Sequence, residues 1–355
     1  MQFEYILFIT ISLMLSISSF LPALPITHWV VRMFDFFRVQ LIVILSILFF
    51  VGVWFFIQNI SIITLLILLF IVASTIYNLI IISPYLVTLN QNKNSNVNTN
   101  GLTVISVNVL QKNTQYNRLL KLVNKYQPDI LLTIETNKTW ENAIAELEKT
   151  YLYVKKIPKE NTYGMHLYTN LKVKEVKEHY LISEDRPAIE AHLFDQQNTE
   201  FVLWCIHPPP PGPTEMPTSK QKDAELMVVA KMIRDSQIPG LVVGDFNNVC
   251  WSAMSKLFSK VSKLKDARLG RGIYGTFPVF PRIFRTPIDL IFNSKGIGIK
   301  TIKTLEDIGS DHLPLFTKFT IDTPSTPAVK KLKPALKEKV NEVIDEGKEA
   351  KQVEE

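Results

Sequence analysis

Charge is nearly missing from the first quarter of this chain. Before position 90 the only acidic and basic residues are Glu4, Arg32, Asp35 and Arg38. A water-facing helical layer needs a polar stripe, so this composition excludes an ordinary soluble domain there. Cysteine is equally scarce, with Cys205 and Cys250 as the only two in 355 residues. Both sit in apolar stretches and read as buried free thiols rather than a disulfide. Their spacing excludes a cysteine-rich zinc site. No internal repeat is visible, so no repeat array is expected.

Long apolar runs stand in place of the missing charge. Tyr5 to Leu21, Leu41 to Ile57 and Ile60 to Ser83 carry no ionised side chain. Each is about long enough to cross a hydrocarbon core of about 30 Å at about 1.5 Å per residue. The first run lacks the basic flank and small-residue cleavage site of a signal peptide, so three transmembrane helices are expected. Gln58-Asn59 would make a tight hairpin between the second and third, and Pro22 to Phe37 an interfacial connection. Arg32, Arg38 and Lys93 fall on the side that carries everything after Ser83. The positive-inside rule then favours the cytoplasmic side for the remainder of the chain.

Domain organisation follows from composition. Residues 1–89 form the anchor and the Asn-rich stretch 90–101 a linker. Residues 102–322 alternate strand-like and helical patterns, which implies a layered α/β domain. The tail 323–355 has basic and acidic residues in equal number; Ala335 to Val353 could form a solvated helix, but a mobile tail is expected.

Six apolar runs in the α/β segment end or begin on a polar residue. Asn108 follows Val104 to Val107, Glu135 follows Ile130 to Ile134, and His207 follows Phe201 to Ile206. Asp245 and Asn247 follow Leu241 to Val243 and Gly244; Asp289 opens a strand running to Phe292; Asp311 and His312 precede Leu313-Pro314. Side chains at strand ends collect at the rim of a sheet, and carboxylates beside amides suit an anion held next to a metal ion.

In this order, Ile105-Ser106-Val107-Asn108, Pro128-Asp129-Ile130-Leu131-Leu132 with Glu135, His207, Gly244-Asp245-Phe246-Asn247, Ile288-Asp289-Leu290-Ile291-Phe292 and Ser310-Asp311-His312-Leu313-Pro314 resemble the endonuclease/exonuclease/phosphatase (DNase I-like) superfamily. The apolar start resembles its membrane-anchored YafD-like bacterial branch. The resemblance implies a four-layer α/β sandwich behind three transmembrane helices, and Mg²⁺- or Mn²⁺-dependent hydrolysis of phosphoesters. It implies Glu135 as the principal metal ligand with Asn108 and Asp311 completing that side. Asp245 would orient or deprotonate the attacking water and Asn247 would donate to the developing charge. Asp289 would hold His312, itself either the general base or a phosphate ligand, and His207 would contact a phosphate oxygen. Some members pair the His207 counterpart with an acid near Tyr163-Gly164-Met165, where this sequence has none.

Arg186 resembles a substrate-side arginine of several members. Between Lys256 and Lys303 basic residues, Arg268 and Arg271 among them, far outnumber Asp266 and Asp289. That segment joins two of the motifs, so its charges are expected beside the site, facing nucleic acid or an anionic phospholipid surface. Tyr274, Phe277, Phe280 and Phe284 lie among them and could stack on bases, enter lipid or pack. His166 and His192, inside strand-like runs, read as structural. The basic segment favours a nuclease, the anchor favours a phospholipid or phosphoinositide phosphodiesterase or phosphatase, and the rival to an enzyme is an inactive membrane-bound interaction module.

Overall fold

Alternation of apolar side chains builds two mixed six-stranded sheets. The computed structural model describes residues 2–87, 101–213, 215–236, 238–322 and 331–354. The first sheet contains β1 (Leu102–Asn108), β2 (Ile130–Ile134), β3 (Tyr153–Ile157), β4 (Met165–Thr169), β11 (Ile297–Thr304) and β12 (Leu315–Ile321), in the order β11-β12-β1-β2-β4-β3. The second contains β5 (Lys172–Tyr180), β6 (Pro187–Phe194), β7 (Glu200–Ile206), β8 (Gly240–Asp245), β9 (Lys265–Asp266) and β10 (Asp289–Asn293), in the order β5-β6-β7-β8-β10-β9.

Val104, Ile130 and Leu132 from one sheet meet Leu203, Cys205, Leu241, Val243 and Ile291 from the other in a shared core. The intervening residues point outward. Ile105, Val107 and Leu131 pack on helices α5 (Tyr116–Tyr126) and α6 (Lys138–Ala143). Trp204, Val242 and Phe292 pack on α7 (Lys220–Asp235) and α8 (Ala253–Ser262). The result is the expected four-layer order of helix, sheet, sheet, helix.

Ahead of this domain stand α1 (Gln2–Ser18), α3 (Arg38–Gln58) and α4 (Ile62–Ile82), with the short α2 (Trp29–Phe36) in the connection. All three longer helices are long and apolar enough to cross a membrane, the first and last extending in turns to Ala23 and Tyr85. Tyr5 and Thr64 share a hydrogen bond of 2.8 Å, and Gly52 lies against Phe8 and Leu68. At the end nearest the sandwich, buried Arg38 joins Asp35 at 2.7 Å, Asn78 at 2.8 Å and the Ser19 carbonyl at 3.2 Å. That one guanidinium ties the three helices and their connection together.

The tail departs from expectation. Residues 334–354 form α9 (Pro334–Glu354), a helix that lies on α7, rather than a mobile segment. Val340 and Ile344 bury on the outer core, and a Cβ at Gly347 would meet Ala224 at 2.2 Å. An apolar stripe decides the matter over the balanced charges on the other faces. The Asn-rich linker and residues 323–330 lie outside the described residues.

Candidate functional site

Strand parity delivers most of the site. On β8, Leu241 and Val243 face the inter-sheet core, so Asp245 continues the same row past its end. On β7 the row Phe201, Leu203, Cys205 leads to His207; on β1, Leu102 and Val104 lead to Asn108; on β10, Ile291 shares the row of Asp289. β1 runs parallel to β2 and β7 parallel to β8, while β10 and β12 run the other way. The ends of the first four and the starts of the last two therefore meet at one edge.

Two backbone distortions complete it. Glu135 would point away from the inter-sheet space by parity, because Leu131 on that row faces the helices. A left-handed backbone at Glu135, φ 64°, re-aims it. Gly244 has φ 148°, and a Cβ there would lie 2.0 Å from the Ile206 carbonyl oxygen, so only glycine fits before Asp245. Asn247 is also left-handed, at φ 48°.

Asp245 is the hub. Its Oδ2 accepts from Asn108 Nδ2 at 3.2 Å and lies 3.9 Å from His207 Nε2 and 3.7 Å from His312 Nε2. Its Oδ1 accepts from the Asn247 backbone N–H at 2.9 Å. Asn108 Nδ2 also donates to Glu135 Oε1 at 2.8 Å, and the Gln111 N–H donates to Glu135 Oε2 at 3.2 Å. His312 Nδ1 meets Asp289 Oδ2 at 2.9 Å. Ser310 Oγ donates to the Asn108 carbonyl and accepts from the His312 N–H, which seats the last loop on the first strand.

Burial and charge set the protonation states. Burial pulls the His312 imidazole down, but Asp289 and Asp245 outweigh it and hold it up at about 10. Burial raises the Asp245 carboxyl, Asp289 adds to that, and His312 opposes it. His207 is pushed down to about 3 by burial and by the neighbouring His312 cation. Its Nδ1 has no hydrogen-bond partner among the described residues; the Tyr163 ring, 5.2 Å away between centroids, takes the place of an acid. Burial also raises Glu135, with Asp311 adding repulsion.

A half-buried carboxylate with a second acid near it fits a hard divalent cation, which takes oxygen ligands and keeps its waters. Glu135 and Asp311 supply such oxygens. Asn108 donates to Glu135 through its NH₂ and its Oδ1 accepts from the Leu110 N–H, so here it orients the carboxylate. Ligand atoms of Asp245, Asp289 and His312 also lie within 4.8 Å of one another. The close Asp289–His312 bond makes that trio a proton-holding relay more readily than a cage.

The sequence-predicted arginines go elsewhere. Arg268, 0% exposed, donates through Nε to the Ile273 carbonyl at 2.9 Å and through Nη2 to the Asp289 carbonyl. Arg271 donates to the Ala267, Leu269 and Ile299 carbonyls. Both serve the backbone, which corrects the expectation that they face substrate. Arg186 pairs with Glu225 at 2.8 Å and lies over the Tyr163 ring, so it supports the wall behind His207. The basic segment itself disperses: Lys265 pairs with Asn293, at the opposite end of β10 from Asp289, and Lys295 lies in the turn beyond it.

Sequence reasoning missed Gln111, Tyr163 and the role of Phe277, whose ring lies 4.8 Å from His312. Only Phe277 carried a signal, as one of the aromatics between two motifs.

The sequence profile of the Endonuclease/Exonuclease/phosphatase family matches residues 95–312. No match was found among curated proteins. Among solved structures, D. rerio TDP2 complexed with single strand DNA product is similar at 16% identity and TM-score 0.53, over 62% of this chain and 100% of that one. The human Nocturnin catalytic domain with bound sulfate is similar at 18% identity and TM-score 0.51, over 62% and 94%. An endonuclease/exonuclease/phosphatase family protein from Bacteroides thetaiotaomicron is similar at 20% identity and TM-score 0.53, over 63% and 98%. At these identities the likeness is one of fold.

Proposed function

Because this chain belongs to the endonuclease/exonuclease/phosphatase family, we propose that it is a membrane-anchored phosphoester hydrolase assisted by Mg²⁺ or Mn²⁺. The three apolar helices would span the bilayer, with the sandwich on the side of Arg32, the cytoplasmic one by the positive-inside rule. The observation that carries the reading is the convergence of Asn108, His207 and His312 on Asp245 Oδ2 within 3.2–3.9 Å.

A cation held by Glu135 and Asp311 would neutralise phosphate charge and ease departure of the leaving oxygen. The remaining work falls to side chains. His312, kept protonated by Asp289 and Asp245, is a cationic donor to a phosphate oxygen rather than a base. Asp245 is then the proton acceptor. Water oxygen forms the new bond to phosphorus as the ester P–O bond breaks, Asp245 takes the water's proton, and the leaving oxygen is protonated from solvent. Asn247 Nδ2, now on the Pro208 carbonyl at 3.0 Å, holds the rim. Neutral His207 adds a second hydrogen bond to phosphate.

The test is hydrolysis of bis-p-nitrophenyl phosphate by the full chain in detergent, with Mg²⁺, Mn²⁺ or EDTA. Turnover should vanish with EDTA and fall about 100-fold or more in Glu135→Gln and His312→Ala. A folded protein whose turnover ignores both substitutions would sink the proposal. A folded protein with no turnover on any phosphoester would favour the interaction module.

A further inference from the structure

The catalytic edge of the sandwich is also the edge that faces the apolar helices. The loop leaving His207 is bonded to the connection: the Trp29 N–H donates to the Pro217 carbonyl at 3.1 Å and the Ser219 N–H to the Thr27 carbonyl at 2.9 Å. The loop leaving Asp245 is bonded twice, Tyr85 Oη to the Cys250 carbonyl at 2.6 Å and Trp251 Nε1 to the Asp35 carbonyl at 2.8 Å. The segment leading to Asp289 is bonded through the Gly270 N–H to the Pro84 carbonyl at 2.8 Å. Three of the loops that carry the site thus rest on the end of the helix bundle.

Within the last of them, residues 277–285 form a finger. Its base is closed by hydrogen bonds between the Phe277 and Thr286 backbones. Its tip carries Phe280, 83% exposed, and Ile283, 71% exposed, beside exposed Arg282. Large apolar side chains so exposed to water forgo the stabilisation that burial gives them. The finger lies against the N-terminal end of α3. Gln40 Nε2, in the first turn of α3, donates to the Ile283 carbonyl at 2.6 Å, and Phe37 meets Phe284 edge-on at 6.1 Å between centroids. The base of the same finger reaches the site: Phe277 lies against His312, and the Val279 N–H donates to the Asp311 carbonyl at 2.9 Å.

Resting on the anchored-hydrolase reading above, we infer that residues 277–285 insert into the headgroup layer and that the phosphoester delivered to Asp245 belongs to a lipid headgroup in that leaflet. An apolar tip flanked by Arg282 is the composition that partitions to an anionic interface. Lys265 and Lys295, at the far end of β10 from Asp289, leave the site, while Arg282 stays beside the finger tip.

The experiment uses the full chain reconstituted in vesicles of phosphatidylcholine, phosphatidylethanolamine and phosphatidylglycerol, some with bromine-labelled acyl chains. Phe280→Trp should be quenched by the bromines. Phe280→Ser/Ile283→Ser should lower release of water-soluble headgroup phosphate by about tenfold or more, and change turnover of bis-p-nitrophenyl phosphate less than about twofold. An unquenched tryptophan overturns the inference. So does cleavage of an oligonucleotide, but not of vesicle lipid, by a chain that hydrolyses bis-p-nitrophenyl phosphate; the hydrolase reading then stands. A chain that hydrolyses none of the three, or that alkaline carbonate strips from the vesicles, overturns both.

Discussion

Replacing Asp289 with asparagine keeps the shape of the site and removes one charge from a dyad whose other member decides the mechanism. Asp289 Oδ2 lies 2.9 Å from His312 Nδ1, and the pair is buried. Burial alone would pull the imidazole down; Asp289 first and Asp245 second hold it at about 10. A nearby opposite charge moves a pKa by about 1–3 units, so Asp289→Asn should bring His312 to about 7–9. Activity requires the protonated form, so it is present below the His312 pKa and lost as pH rises through it. On the proposed role the wild-type alkaline limb should lie near 10, and that of the variant about 1–3 units lower. At pH 9, a variant titrating near 8 would retain about a tenth of its cationic His312. The assay is kcat/KM for bis-p-nitrophenyl phosphate across pH, with the His312 ¹⁵N shift read in parallel. Coincident alkaline limbs in the two proteins would refute the cationic role. So would a wild-type rate that rises as His312 loses its proton, the mark of a general base.

Three further outcomes follow from the packing. Gly244→Ala should destabilise the protein by about 2–6 kcal/mol, since strain at positive φ and overpacking against Ile206 add, and a thermal melt in detergent reads it. Arg186→Met strands buried Glu225, which burial already raises to about 7, and should cost about 3–5 kcal/mol; Arg186→Met/Glu225→Met should regain most of it. Equal melting points for the single and double variants would contradict that account. Buried His166 is pushed down to about 4 by burial, so the unfolded chain binds its proton first as pH falls from 6.5. Stability should therefore be lost between about pH 6.5 and 4, by on the order of 3 kcal/mol, and His166→Leu should flatten that slope in pH-dependent melts.

How much was legible depended on where a residue sits. Strands in the middle of the sheets, such as β1, β2, β7 and β8, are mostly apolar along their length because both faces are covered. The strands that escaped reading are β3, β5, β9 and β11, and these are the four sheet edges. Edge strands carry lysine and glutamate against unwanted pairing, as Lys172–Tyr180 does, and lose the apolar signature. Asp245 and His207 were readable because parity carries a strand row into the site. Glu135 was readable as the polar residue after Ile130 to Ile134, but its inward aim was not, since a left-handed turn at one residue leaves no mark in composition. Arg268 and Arg271 misled because a guanidinium bound to carbonyls and one facing phosphate look alike in sequence. The tail misled differently: Leu336, Val340, Val343, Ile344 and Gly347 make a helical stripe, masked by the balance of charges around it.

The outer core of the sandwich includes Ile82 and Tyr85 from the last apolar helix, beside Trp251 and Phe258. A fragment beginning after residue 100 would leave that seat vacant and its aromatic lining open to water. Such a fragment should adhere to detergent, to lipid or to itself, and its purification behaviour would say little about the intact chain. The apolar helices are structural neighbours of the sandwich, and tilting them would tug on the very loops that hold Asp245 and His207.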